Sequence, residues 1–135
     1  MTPEQKVKMF VENHTHKNFR YGKHDCVTFG MRAFKDIWGK TIFLPDGITW
    51  SNKTSAIRAI LSVSKSLLSC VRVVATQNQL IAVQKPNLMA GDVVVVEALG
   101  DVGLGVMENC SDAVVLNRVG LLRISRDQVL EGWRA

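Results

Sequence analysis

The run Asp92-Val93-Val94-Val95-Val96-Glu97 constrains the fold more than any other feature of the chain. It contains four consecutive β-branched residues, which favour strands over helices. A continuous apolar run, unlike an alternating one, predicts a strand that is buried on both of its faces. We therefore expect the second half of the chain to be organised around this strand.

The rest of the second half also predicts β-structure. Short apolar segments alternate with turns, and together with the valine run they predict a meander of four strands. A final turn of helix is predicted beyond the last of them. The predicted strands are 92–97, 102–107, 113–117 and 121–125, and the predicted helical turn lies within 126–133.

The first half of the chain predicts helices instead. Thr2-Pro3-Glu4-Gln5 has the features of a helix start, with a threonine cap followed by proline in the first turn. A second helix is predicted from residue 25 to residue 38, where Gly39 ends it. It carries two apolar stripes, which predicts a central and mostly buried helix. A third helix is predicted over 55–69 and a short strand over 71–75.

The order of these elements predicts one domain of the α+β class, spanning residues 1–135. The chain is 47% hydrophobic and 21% charged, which is typical of a globular protein. The formal charge of +5 is spread along the chain. Nucleic-acid binding needs a dense basic stripe with exposed aromatic residues, and this sequence has neither. We therefore expect no nucleic-acid partner.

Composition also limits location and cofactors. No apolar run is long enough to span a membrane, and the first six residues contain no apolar signal core. We expect a chain made in the cytoplasm, with reduced cysteines.

The cysteines have no C-x-x-C spacing, so we predict no structural metal and no cofactor. His14 and His16 have a spacing that can chelate a metal, but no third ligand is evident, which favours an exposed loop.

The segment Tyr21-Gly22-Lys23-His24-Asp25-Cys26 is the candidate functional site. It places Cys26 at a predicted helix start, where free N–H groups and the helix dipole favour a thiolate. Asp25 is either the helix cap or a catalytic acid, and the cap is the commoner role. Tyr21 either lines a pocket beside Cys26 or packs in the core. All three histidines precede Cys26, and none follows it.

This segment resembles the nucleophile motif of NlpC-type papain-like cysteine peptidases, which cleave peptidoglycan peptides. Ala90-Gly91-Asp92 resembles their Pro-Gly-Asp entry to the first long strand. The segment Val102-Gly103-Leu104-Gly105-Val106 resembles the strand that begins His-Val-Gly-Ile-Tyr in active members. Short phage and prophage proteins with a Phe-x-Tyr-Gly-x-x-Asp-Cys start and a Gly-Leu…Trp-Arg end resemble the chain even more closely.

The resemblance implies a papain-like NlpC-type fold, with N-terminal helices packed on an antiparallel, barrel-like sheet. In this alignment the catalytic histidine falls on Gly103, or on its neighbours Val102 and Leu104, none of which can accept a proton. The third polar residue falls within 114–117, where only Asn117 could orient a histidine. The resemblance therefore implies a degenerate peptidase in which Cys26 is a vestigial nucleophile.

The implied function is that of a structural component of a bacteriophage or prophage tail tip. Its partners would be other tail or baseplate proteins, with peptidoglycan as a further candidate, and its location would be the virion tail. One alternative is an active cysteine hydrolase that cleaves peptidoglycan peptides, with Cys26 as nucleophile. Another is a free bacterial binding domain that uses the former catalytic cleft.

Overall fold

A computed structural model describes residues 1–135 and shows helices in the first half of the chain and strands in the second. The predicted α+β class is confirmed. The helices are α1 (Pro3–His14), α2 (Cys26–Trp38), α3 (Lys53–Val63) and α4 (Leu67–Gln77). The strands are β1 (Ile81–Val83), β2 (Val93–Ala98), β3 (Asp101–Met107), β4 (Asp112–Asn117), β5 (Gly120–Ser125) and β6 (Val129–Arg134).

All six strands belong to one antiparallel sheet with the order β1-β6-β2-β3-β4-β5. The sheet is open, because β1 pairs only with β6 and β5 pairs only with β4. The expectation of a barrel-like sheet is therefore wrong. Closure would require the two edge strands to pair along their length, and β1 offers only three residues for that pairing.

The end of the chain and the third predicted helix also differ from the sequence predictions. Where a final helical turn was predicted, only Arg126–Gln128 is helical, and the strand β6 follows it. The predicted helix 55–69 is two helices, because the Ser66 side chain accepts the Ser69 N–H and starts α4. The predicted strand 71–75 lies inside α4, where Cys70 and Ala75 are buried.

The valine run of β2 separates two apolar clusters. Val93 and Val95 face α2, whereas Val94 and Val96 join the cluster on the opposite face of the sheet. All four side chains are at most 2% exposed, which confirms that this strand is buried on both faces. Of α2, the residues Ala33, Phe34 and Ile37 are buried, as its two apolar stripes predict. Phe29 is also buried, although it belongs to neither predicted stripe.

None of the four helices is by itself long and apolar enough to cross a membrane. Only α3 and α4 taken together meet the length and composition criteria, and they are bent by 58° relative to each other.

Candidate functional site

Asp25 fixes the start of α2 by accepting three hydrogen bonds. Its Oδ1 accepts the Thr28 N–H at 2.9 Å, which makes Asp25 the N-cap of the helix, as predicted. Its Oδ2 accepts the Gly22 N–H at 2.7 Å and the Trp50 indole N–H at 2.6 Å. The residue is only 3% exposed. A carboxylate that accepts three N–H groups is fixed in place, so its role is structural.

Gly22 allows the loop before α2 to approach the segment around Trp50. Its φ is +76°, and a Cβ atom at this position would lie 2.1 Å from the Trp50 carbonyl oxygen. No other residue type fits both conditions without displacing the backbone. Together with the bond from Trp50 to Asp25, this contact fixes the loop and makes Cys26 the first residue of α2.

Cys26 is half-buried and lies beside Gly103 of β3. A Cβ atom on Gly103 would lie 3.8 Å from the Cys26 Cβ and 3.9 Å from its Sγ. The pKa of the thiol is raised to about 11, mainly by burial and to a smaller extent by the carboxylates of Asp25 and Asp101. The Leu104 N–H acts in the opposite direction. The thiol is therefore protonated at neutral pH.

The histidines are not partners of the Cys26 thiol. The rings of His14 and His24 stack 5.6 Å apart, buried between α1 and α2. His14 Nδ1 bonds to the Phe10 carbonyl at 2.7 Å, and His24 Nδ1 lies 3.3 Å from Arg32. No histidine is hydrogen-bonded to Cys26. His16 is exposed, whereas His14 is in the core at the end of α1 rather than in the exposed loop predicted for both residues.

Cys26 and Tyr21 line a cavity of about 660 Å³. Of the 40 lining residues, 32 are hydrophobic, and only Asp25, Lys53, Asp101 and Arg118 are charged. The walls are α2, the sheet and the α3–α4 hairpin. The Tyr21 hydroxyl accepts a hydrogen bond from Arg118 at 2.9 Å, and its ring contacts Phe19 edge-on. Tyr21 is thus part of the pocket beside Cys26.

Sequence reasoning found the residues of the motif but missed those that other segments bring to it. Trp50, Asp101 and Arg118 come from two loops and a strand start, and no local pattern marks them.

No group of three or more His, Cys, Asp or Glu residues is placed to hold a metal ion.

The fold and the site define a class of protein: an α+β domain that places a protonated cysteine at a helix start, on the wall of an apolar cavity. Residues 2–135 match the model of a family described as a domain of unknown function, DUF6950, and the chain belongs to that family. No curated protein matches the chain.

Proposed function

We propose that this protein is a structural component of a bacteriophage or prophage tail tip, with an NlpC-like fold that has lost peptidase chemistry. The observation that carries the proposal is the surroundings of Cys26. Its thiol has a pKa of about 11 and faces Gly103, where the resemblance to active peptidases implies a histidine. A cysteine nucleophile needs an adjacent base to form a thiolate at neutral pH, and none is present.

A second alignment of the same motif leads to the same conclusion. The pattern His-Val-Gly-Ile also fits Asp101-Val102-Gly103-Leu104 without a gap, which places the histidine on Asp101. Asp101 lines the cavity and its charge raises the pKa of Cys26, after the larger effect of burial. A carboxylate at this position opposes thiolate formation, whereas a protonated imidazole stabilises it. With either alignment the nucleophile has no catalytic partner.

Exposed apolar side chains support a role in protein contacts. Leu99 and Val119 are 82% and 93% exposed at the turns of two hairpins, and both line the mouth of the cavity. Phe43 is 72% exposed on the loop after α2. Exposed apolar side chains around one opening, as Leu99 and Val119 are, are typical of interaction sites.

An active cysteine hydrolase remains the second candidate, because Cys26 is at a helix N-terminus and opens on a cavity. The two candidates differ in what the sulfur does. A hydrolase needs the thiol for every turnover, whereas a structural protein needs only a side chain of about that volume.

The test is genetic and biochemical. In a phage that carries this gene, we expect mass spectrometry to find the protein in purified particles, and deletion of the gene to stop particle assembly. Cys26→Ala particles should assemble and infect like those of Cys110→Ala, the matched control at an exposed cysteine. The purified protein should release no peptides from peptidoglycan sacculi. If Cys26→Ala particles assemble but cannot infect, or if the wild-type protein digests sacculi, the hydrolase is correct.

A further inference from the structure

The cavity beside Cys26 exists because α3 stands away from the core. Ala56, Ile57, Ile60 and Val63 of α3 line it, yet no residue of α3 is buried and none joins either core cluster. The next helix, α4, does pack on the core through Leu67, Leu68, Val71 and Val74. Open pockets that are lined mostly by apolar side chains, with a few polar groups, are the usual form of small-molecule sites. The arrangement therefore indicates a binding site.

The walls define the chemistry of the occupant. Asp25 already accepts three hydrogen bonds, so the apolar walls offer few polar groups to a ligand. An extended peptide would carry N–H and C=O groups into the cavity, and each group left unpaired is costly. A hydrocarbon chain carries none. The volume of about 660 Å³ is within the range of sites for small molecules.

The charged residues define one end of the ligand. Arg118 donates to the Tyr21 hydroxyl and lies over its ring, but it forms no ion pair with any carboxylate. Its remaining N–H groups are free to bind an anion, and a guanidinium can bind a carboxylate in two-point geometry. Lys53, a second lining cation, is also without an ion-pair partner.

We propose that this cavity binds a long-chain fatty acid, with the hydrocarbon between α3 and the sheet and the carboxylate at Arg118. This binding site goes beyond the proposed tail-tip role and does not depend on it. It requires the cavity and the cation, not the chemistry of Cys26.

Binding of palmitate to the purified full-length protein tests the proposal by calorimetry, with hexadecanol as the uncharged comparison. Ala56→Phe fills the cavity from α3 and should weaken palmitate binding about tenfold or more. Ser62→Phe is the matched control, since Ser62 is exposed on the same helix and does not line the cavity. Arg118→Gln should weaken palmitate binding about tenfold but leave hexadecanol binding within about twofold.

Circular dichroism shows whether each variant folds, and Ala59→Phe, also on the cavity side of α3, replaces Ala56→Phe if that variant does not. The proposal is overturned if palmitate does not bind the wild-type protein. It is also overturned if the α3 substitution in the cavity weakens binding no more than Ser62→Phe. If Arg118→Gln weakens palmitate and hexadecanol binding equally, the carboxylate does not bind at Arg118, and that part of the proposal is overturned.

Discussion

At Cys26, the position in the helix and the burial of the side chain act in opposite directions. A cysteine at the start of a helix is expected to have a lowered pKa. Here burial, together with the smaller effects of the Asp25 and Asp101 carboxylates, raises the pKa to about 11. Burial and the carboxylates outweigh the helix start. The position at a helix start, which makes Cys26 resemble a nucleophile in the sequence, therefore does not make it one in the structure.

The alkylation rate of Cys26 should reflect this raised pKa. With a pKa of about 11, about one thiol in a thousand is ionised at pH 8, so iodoacetamide should modify exposed Cys110 well before Cys26. Asp101→Asn removes one of the charges that oppose ionisation and should speed modification of Cys26. Asp46→Asn, in an exposed turn away from the cavity, should not.

Peptide mass spectrometry after timed labelling measures both rates in one sample. Rapid and selective labelling of Cys26 in the wild-type protein would contradict the raised pKa. Equal rates in the two aspartate variants would show that Asp101 does not act on the thiol.

His14 and His24 form a second site where burial determines protonation. Burial lowers the pKa of both residues. The positive charges of Arg32 and Lys17 lower the pKa of both rings further. At His14, the hydrogen bond to Phe10 and the charge of Asp36 act in the opposite direction and raise the pKa. At His24, the charge of Asp25 raises it. His24 Nε2 is also buried without a hydrogen-bond partner, so a proton there would be a buried and unpaired charge.

The free energy of unfolding should therefore fall in acid. The pKa values are lower in the folded than in the unfolded protein, so the unfolded state takes up protons first as the pH drops below about 6.5. Stability should be full above that pH and decline below it. His24→Phe keeps an aromatic ring in the stack but cannot be protonated, and it should reduce this decline.

Urea unfolding at pH 7.5, 6.5 and 5.5 measures the effect. His16→Asn, at an exposed histidine outside the stack, is the control and should lose stability as the wild-type protein does. If His24→Phe has the same pH dependence as His16→Asn, protonation of the pair does not control stability.

Among the elements, those with a strong local pattern were predicted and those that depend on distant partners were not. The valine run identifies β2, and Asp25 and Gly39 mark the ends of α2. β6 was predicted as helix because its short segment has no strong period, and it becomes a strand through pairing with β1 and β2. The same limit applies to the site, where the motif identified Cys26 but not Asp101 or Arg118.

The turn between β2 and β3 contains a residue that does not suit its backbone. Leu99 has φ of +55° and is followed by Gly100 with φ of +76°. Two-residue hairpin turns with positive φ at both positions favour asparagine followed by glycine. Leu99 is also 82% exposed, so it contributes little to the core. Leu99→Asn should therefore raise the free energy of unfolding by roughly 0.5–1 kcal/mol.

Val119 provides the control for this substitution. It is 93% exposed in the turn between β4 and β5 and does not have a positive φ, so Val119→Asn should change stability by less than about 0.5 kcal/mol. Urea unfolding of the two variants and the wild-type protein compares them directly. A loss of stability in Leu99→Asn would show that the leucine side chain matters more than the backbone conformation.

At the scale of the whole molecule, the last strand holds the domain together. β6 lies between β1 and β2 and is therefore paired on both sides, although it comes last in the chain order of the strands. Arg134 in this strand forms a salt bridge with Asp92, a carboxylate that is fully buried at the entry to β2. The charge of Asp92 is compensated only when the C-terminal strand is in place, so folding of the core and docking of the chain end are linked.

Trp133 gives the clearest test of that linkage. Its side chain is 5% exposed in the core cluster that also contains Phe29 and Val93. Trp133→Ala should lower the free energy of unfolding by about 3–5 kcal/mol, as large aromatic truncations do. Leu130→Ala, at a 43% exposed position of the same strand, should cost less than about 1 kcal/mol. Urea unfolding followed by circular dichroism measures both. If β6 were a loosely attached tail, the two substitutions would have similar and small effects, and the core would unfold independently of the chain end.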